Sequence, residues 1–301
     1  MKAKIKNIVK NLGITRFYFV IRKWYDEKTC SRFECGIGDI LLCRGIPLHN
    51  QFLLTSRLLD VESYINGDDK YFPFQNAISY KAYGKAHREA YGNKTFQALI
   101  ESYKKDGYHS DSFVTCDRDM ELMDGNHRMG LQIYNRLERV NVRRIKRKIN
   151  FPFGTDDYYT TGLYGDKLIS PFLEKIWKKY EEVQSWLIES GNTFCAVVGE
   201  TDLPNMNPLE DLSHLVKPLK IIKKGFYCDI DGINARWAGF IQFSLNQPNY
   251  DVEKGELLAK RAVEIERIMQ SRYGDAFPIR ISHNCLEGKR LFDLVIEKMN
   301  E

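Results

Sequence analysis

No apolar run in these 301 residues approaches the ~18 needed to cross a bilayer as a helix. The longest near the start, Phe17 to Ile21, is too short for the apolar core of a secretory leader. Seven cysteines, an odd number in no compact pattern, argue against a disulfide framework. They point to reduced thiols and a cytoplasmic protein. Cys30, Cys35 and Cys43 lie close together, but their gaps match no zinc spacing and no histidine completes a set. Gly36-Ile37-Gly38 lacks the lysine of a phosphate loop. No internal repeat is present, and residues 1–24 contain no acid at all.

What is present is ordinary for a globular protein: 43% hydrophobic and 28% charged residues, with 17 Tyr and 17 Phe to fill cores. The length suits two domains. A net charge of +5 permits anionic ligands without demanding nucleic acid. The acid-free arm carries Lys2, Lys4, Lys6, Lys10, Arg16, Arg22 and Lys23. Ile5, Ile8, Val9 and Leu12 follow helical spacing, so the arm reads either as a basic amphipathic helix for an anionic membrane or as a terminal helix with a solvated lysine face.

The chain is organised around Cys116 to Arg139. Phe113 to Cys116 is β-prone, Asp117 to Asp119 a polar turn, and Met120 to Met123 a returning strand. Asp124-Gly125 is a turn dipeptide. Asn126 stands where a helix N-cap belongs, and Met129, Ile133 and Leu137 then recur every fourth residue. Asp124, Asn126, His127 and Arg128 thus fall at the mouth of a helix, where free amides and the dipole favour phosphate. Arg128 adds a fork for phosphate oxygens and His127 a proton donor or phosphate ligand. The same residues also suit a plain cap and turn.

Elsewhere, Pro47 opens the unit and Leu53 to Leu59 reads as a strand. Residues 68–95 read as an inserted loop with a short helix containing His87, Arg88 and Glu89, and Phe96 to Gly107 as a helix. Arg136 to Lys148 is a basic run with one acid, without the interleaved aromatics of a stacking platform. Residues 150–165 form a Gly- and Pro-marked boundary. Ile169 to Ser190 is a long helix ended by Gly191. A second α/β unit follows: strands at Thr193–Val198, Leu219–Ile222, Phe226–Ile230 and Pro278–Ser282, and helices at Leu209–Leu215 and Gly255–Tyr273. Ala238–Leu245 is apolar and of open type. Asn284 and Glu287 suit a capping box on the last helix. The expected division is an arm (1–45), a first domain (46–149), a linker and long helix (150–190), and a second domain (191–301).

The Asp124-Gly125-Asn126-His127-Arg128 box resembles the G-x-H-R or D-G-x-x-R box of the ParB/sulfiredoxin-like superfamily. The flanks follow in order: Leu53 to Tyr64 resembles the entry strand and its exit, Phe96 to Gly107 the following helix, Phe113 to Cys116 and Val140 to Ile145 the strands around the box. The resemblance spans residues 46–149 and implies an α+β nucleotide-binding domain. It places a nucleoside triphosphate, ATP or CTP, with Mg²⁺, at Gly125, Asn126, His127 and Arg128. Asn126 stands where sulfiredoxins have their nucleophilic cysteine, and a carboxamide cannot attack phosphate. A long helix follows, not the helix-turn-helix array of partition proteins.

What remains implied is a phosphotransferase acting on a hydroxyl of a small metabolite, such as a sugar or glycan precursor. Asp124 would hold Mg²⁺ or orient the acceptor, and His127 and Arg128 would neutralise phosphate. Glu89 or Asp60 would be the base, although family kinases carry a His-Glu pair where this chain has His-x-Glu. The alternative is a non-enzymatic nucleotide-binding regulator, meeting DNA through residues 136–148 or a membrane through residues 1–24.

Overall fold

A computed structural model describes residues 14–42, 49–67, 93–107, 112–148, 170–203 and 206–300. Among them the chain alternates helices and strands in a mixed α/β order. It starts with helix α1 (Ile14–Thr29), strand β1 (Ser31–Gly36) and the short helix α2 (Ile37–Leu41). Helices α3 (His49–Ile65) and α4 (Asn93–Asp106) come next, then β2 (Val114–Cys116), β3 (Leu122–Asp124), helix α5 (Asn126–Tyr134) and β4 (Arg139–Arg144).

These four strands form one sheet in the order β1-β4-β2-β3. β2 and β4 run parallel, and β3 and α5 lie in the connection between them. β1 and β3 close the edges antiparallel. Residues 31–36, from the stretch expected to be an arm, therefore supply an edge strand. The inner face carries Phe33, Cys35, Val114, Cys116, Val140 and Val142. They are buried with Met129 and Ile133 of α5 and Leu54 and Leu58 of α3. The other face presents Thr115 and Arg143.

The segment Leu53 to Leu59, expected as a strand, lies inside helix α3. Leu54, Leu58 and Val61 are buried at i, i+4 and i+7. A short apolar run fits either element, and here the helical period extends past the run. The helix packs against α5 where Gly130 lies, and a Cβ there would sit only 3.3–3.4 Å from Arg57 and the Leu58 backbone.

The second half begins with α6 (Ser170–Glu189), whose Ile176, Tyr180, Val183 and Leu187 are buried and which Gly191 ends at φ +78°. After it come β5 (Phe194–Gly199), α7 (Pro208–Leu215), β6 (Lys217–Ile222), β7 (Phe226–Ile230) and β8 (Ile233–Ser244). Then follow the hairpin β9 (Tyr250–Glu253) and β10 (Glu256–Ala259), α8 (Lys260–Tyr273), β11 (Ile279–Ile281) and α9 (Cys285–Asn300). The segment 255–273 is thus a strand and then a helix, not one helix. The antiparallel sheet runs β11-β5-β8-β6, with β7 also on β8. β5 is buried on both faces. Phe194, Ala196 and Val198 face the main core, while Cys195 and Val197 meet Leu291 and Val295 of α9.

One hydrophobic cluster runs through both sheets. At the seam, Gly36 and Gly38 let the backbone approach Asn192 and Cys285 so closely that a Cβ at either position would collide with them. Asn192 accepts from Gly38 N–H (2.8 Å) and donates to Glu138 C=O (2.7 Å). The buried Asp39 carboxylate accepts from the N–H groups of Gly36 (3.1 Å) and Cys285 (3.0 and 3.1 Å) and from the Tyr250 hydroxyl (3.0 Å). Arg144 donates to the carbonyls of both Arg118 and Tyr250.

Candidate functional site

The turn between β3 and α5 is built on Gly125, whose φ of +100° places it in the left-handed region. A side chain there would also strike Val114. Gly125, not Asn126, is the N-cap, and no side chain caps the helix. Asn126 is the first helical residue, and its Oδ1 is buried with no hydrogen-bond partner among the described residues. The cap expected at Asn126 fails because Gly125 reaches the left-handed conformation without strain and lets the helix start one residue earlier.

His127 is half-buried. Its ring packs on Phe96 with centroids 4.5 Å apart. Burial, then the charges of Arg57 and Arg128, push the imidazole down to about 3, so it is neutral at physiological pH. Arg128 donates to the Phe113 carbonyl (2.5 Å) and pairs with Asp124 at 3.7 Å. Its side chain keeps 30% of its exposure, against 73% for Asp124. Asp60 is fully buried on α3, 3.9 Å from Arg57. Glu62 pairs with Lys179 at 3.0 Å. Glu89 and Cys43 lie outside the described residues. The other six cysteines are free.

Arg128→Ala is expected to cost about 1–2 kcal/mol of stability, because the Phe113 carbonyl loses its charged donor. Chemical denaturation of the two proteins measures this; equal midpoints would show the contact to be idle.

The structure also forms a site that the turn only borders. Between α1 and the outer face of the first sheet lies a cleft of about 350 Å³. Arg22, Lys23, Asp26 and Glu27 form its α1 wall. Thr115, Met123, Asp124, Arg143, Ile145 and Arg147 form its floor. Arg147 clamps Asp26 through both carboxylate oxygens at 2.8–3.1 Å and so holds α1 in place. Arg143 donates only to the Thr115 hydroxyl, at 2.9 and 3.3 Å, and pairs with no carboxylate among the described residues. The Glu27 carboxylate likewise has no ion pair or hydrogen bond among them.

The expected residues therefore separate. Asp124 reaches the cleft, Arg128 stands behind it as support, Asp60 is buried on α3, and His127 is half-buried against Phe96. Arg143, Thr115 and Glu27 carried no signal of a site. Arg143 read as one charge in a run, yet alternation along β4 already set it opposite the buried Val140 and Val142. That run serves several places: Arg139 pairs with Glu34, Arg147 with Asp26, Lys148 with Asp119, and Arg136 lies over Trp186.

Among the described residues no three His, Cys, Asp or Glu side chains converge as a metal cage. Asp124 offers one exposed carboxylate, which suits an ion such as Mg²⁺ that is held chiefly by nucleotide phosphates and water. No described helix is long and apolar enough to cross a membrane. No family model, curated protein or solved structure matches the chain.

Proposed function

We propose that the cleft between α1 and the first sheet binds a nucleoside triphosphate, and that the protein transfers its terminal phosphate to a hydroxyl of a small metabolite. One observation carries this reading. An Arg143 guanidinium with no carboxylate partner among the described residues shares the cleft floor with an exposed Asp124, and Lys23 and Arg22 stand on the α1 wall. A fixed cationic fork beside a carboxylate able to carry Mg²⁺ suits a triphosphate. The resemblance to the ParB/sulfiredoxin-like superfamily supports the nucleotide. In its favour is the order α4, β2, β3, turn, α5, β4; against it, a helix stands where the family has its entry strand.

In the proposed reaction the acceptor oxygen attacks the γ-phosphorus and the bond to the β–γ bridging oxygen breaks. The nucleoside diphosphate leaves, and the hydroxyl proton passes to a carboxylate. Asp60, buried and paired with Arg57, is poorly placed for that proton. Glu27 on the cleft wall is better placed, and Glu89 stays a candidate from the sequence. Bound Mg²⁺ would neutralise charge on the phosphates, with Asp124 as its protein ligand. Arg143 would hold the phosphate oxygens, and the Asp124–Arg128 pair would fix the turn. The dispersal of the basic run over several faces favours a small anion over a nucleic acid.

The test is a thermal-shift panel of ATP, CTP, GTP and ADP with Mg²⁺, followed by phosphate-transfer assays on hydroxylated acceptors. A nucleotide at a hundred times its dissociation constant should add about 2.7 kcal/mol of stability. No shift with any of the four would end the nucleotide reading. A shift without transfer to any acceptor would leave a binding protein and end the kinase reading.

A further inference from the structure

Helix α1 sits on the protein with its charged side inward. Arg22, Lys23, Asp26 and Glu27 line the cleft, whereas Val20, Ile21, Trp24 and Tyr25 are exposed, Val20 by 65% and Trp24 by 59%. At about 100° per residue the two sets lie on opposite sides of the helical cylinder. Over the described side chains, Val20 to Thr29, a helix half held by apolar burial would be turned the other way. There the Arg147–Asp26 clamp ties it to the fold, and an apolar ridge with two aromatics points outward.

We infer that this ridge is a docking surface for an anionic lipid membrane. Trp and Tyr suit the headgroup level of a bilayer, where an apolar body and a polar tip both find a place. On the same wheel Arg22 and Lys23 flank the apolar side, as cations do on helices that lie in the interface. The stretch of sequence that leads into and includes the ridge has the charge an anionic surface attracts: residues 1–24 hold seven Lys and Arg and no acid. A lone convex ridge fits a fluid interface better than it fits a partner's groove. Arg22 and Lys23 serve both this inference and the cleft, but Val20 and Trp24, the residues that test it, lie outside the cleft lining.

Co-sedimentation of the full chain with vesicles tests it. Binding is expected to phosphatidylcholine vesicles containing about 30 mol% phosphatidylserine, weakening by about tenfold on pure phosphatidylcholine or in high salt. Replacing both Val20 and Trp24 by Ser should lower partitioning by at least about tenfold, with the melting transition unchanged because both residues are exposed. Trp24→Phe should retain most of the binding. Three results would overturn the inference: no sedimentation with the anionic vesicles, equal binding by the double variant, or a reversible dimer of the parent chain that the double variant abolishes. The first is read on the parent chain alone, so it holds however the variants behave.

Discussion

Asp39→Ala is expected to cost on the order of 3–5 kcal/mol, a large share of the 5–15 kcal/mol that holds a typical domain together. Asp39 gathers the amides of Gly36 and Cys285 and the hydroxyl of Tyr250 onto one buried carboxyl group. Without it those donors stay buried and unpaired. The group also makes stability depend on pH. Burial raises it from 3.8 to about 6, outweighing the four donors that lower it. The native state therefore keeps this proton up to about pH 6, while the unfolded chain releases it near 3.8. The stabilisation is complete below the unfolded value and is lost as pH rises through the folded one, about 3 kcal/mol in all. Asp39→Asn should remove that slope. Urea denaturation of parent and Asn variant between about pH 4 and 7 isolates it from the other carboxylates. Parallel pH profiles would show that Asp39 titrates as in water.

The second large effect belongs to Arg143. Arg143→Ala should weaken nucleotide binding by 2–4 kcal/mol, about thirtyfold to nearly a thousandfold. Stability should stay within about 1 kcal/mol, because the lost partner is one hydroxyl. Arg143→Lys should fall between, keeping the charge but not the fork. Calorimetric titration checks affinity and melting checks the fold. Parent-like affinity in the Ala variant would remove the cleft from the nucleotide site and return attention to Arg128.

Much of the fold can be read in the sequence where periodicity is long or turns are marked. α4, the β2–turn–β3 hairpin and α6 follow from spacing and from glycine. So do the closed ends of the second half: Asn284 accepts from Glu287 N–H at 2.8 Å, and Glu287 accepts from His283 N–H at 2.6 Å. α3 was legible only as apolar, because seven residues cannot fix a period. β1 was hidden because its pairing partner β4 lies more than a hundred positions away. At the site, the turn at Gly125 was legible, but the roles of its residues were not. Whether His127 faces water depends on Phe96, and whether Asp60 is free depends on Arg57. Such partners come from tertiary packing, not local pattern. Asp39 and Asn192 belong to no motif in the sequence, and their weight appears only where the two sheets meet.

The close approach at Gly36 and Gly38 has a consequence for inheritance. The two sheets are not interchangeable modules. A different second unit joined after residue 190 would have to bring a backbone amide where Cys285 has one, a hydroxyl where Tyr250 has one, and an amide side chain in place of Asn192. It would also have to leave the strip facing Gly38 bare. Any lineage that shuffled this half would have to carry three distant positions, Asn192, Tyr250 and Cys285, together, so the two halves are expected to change in step.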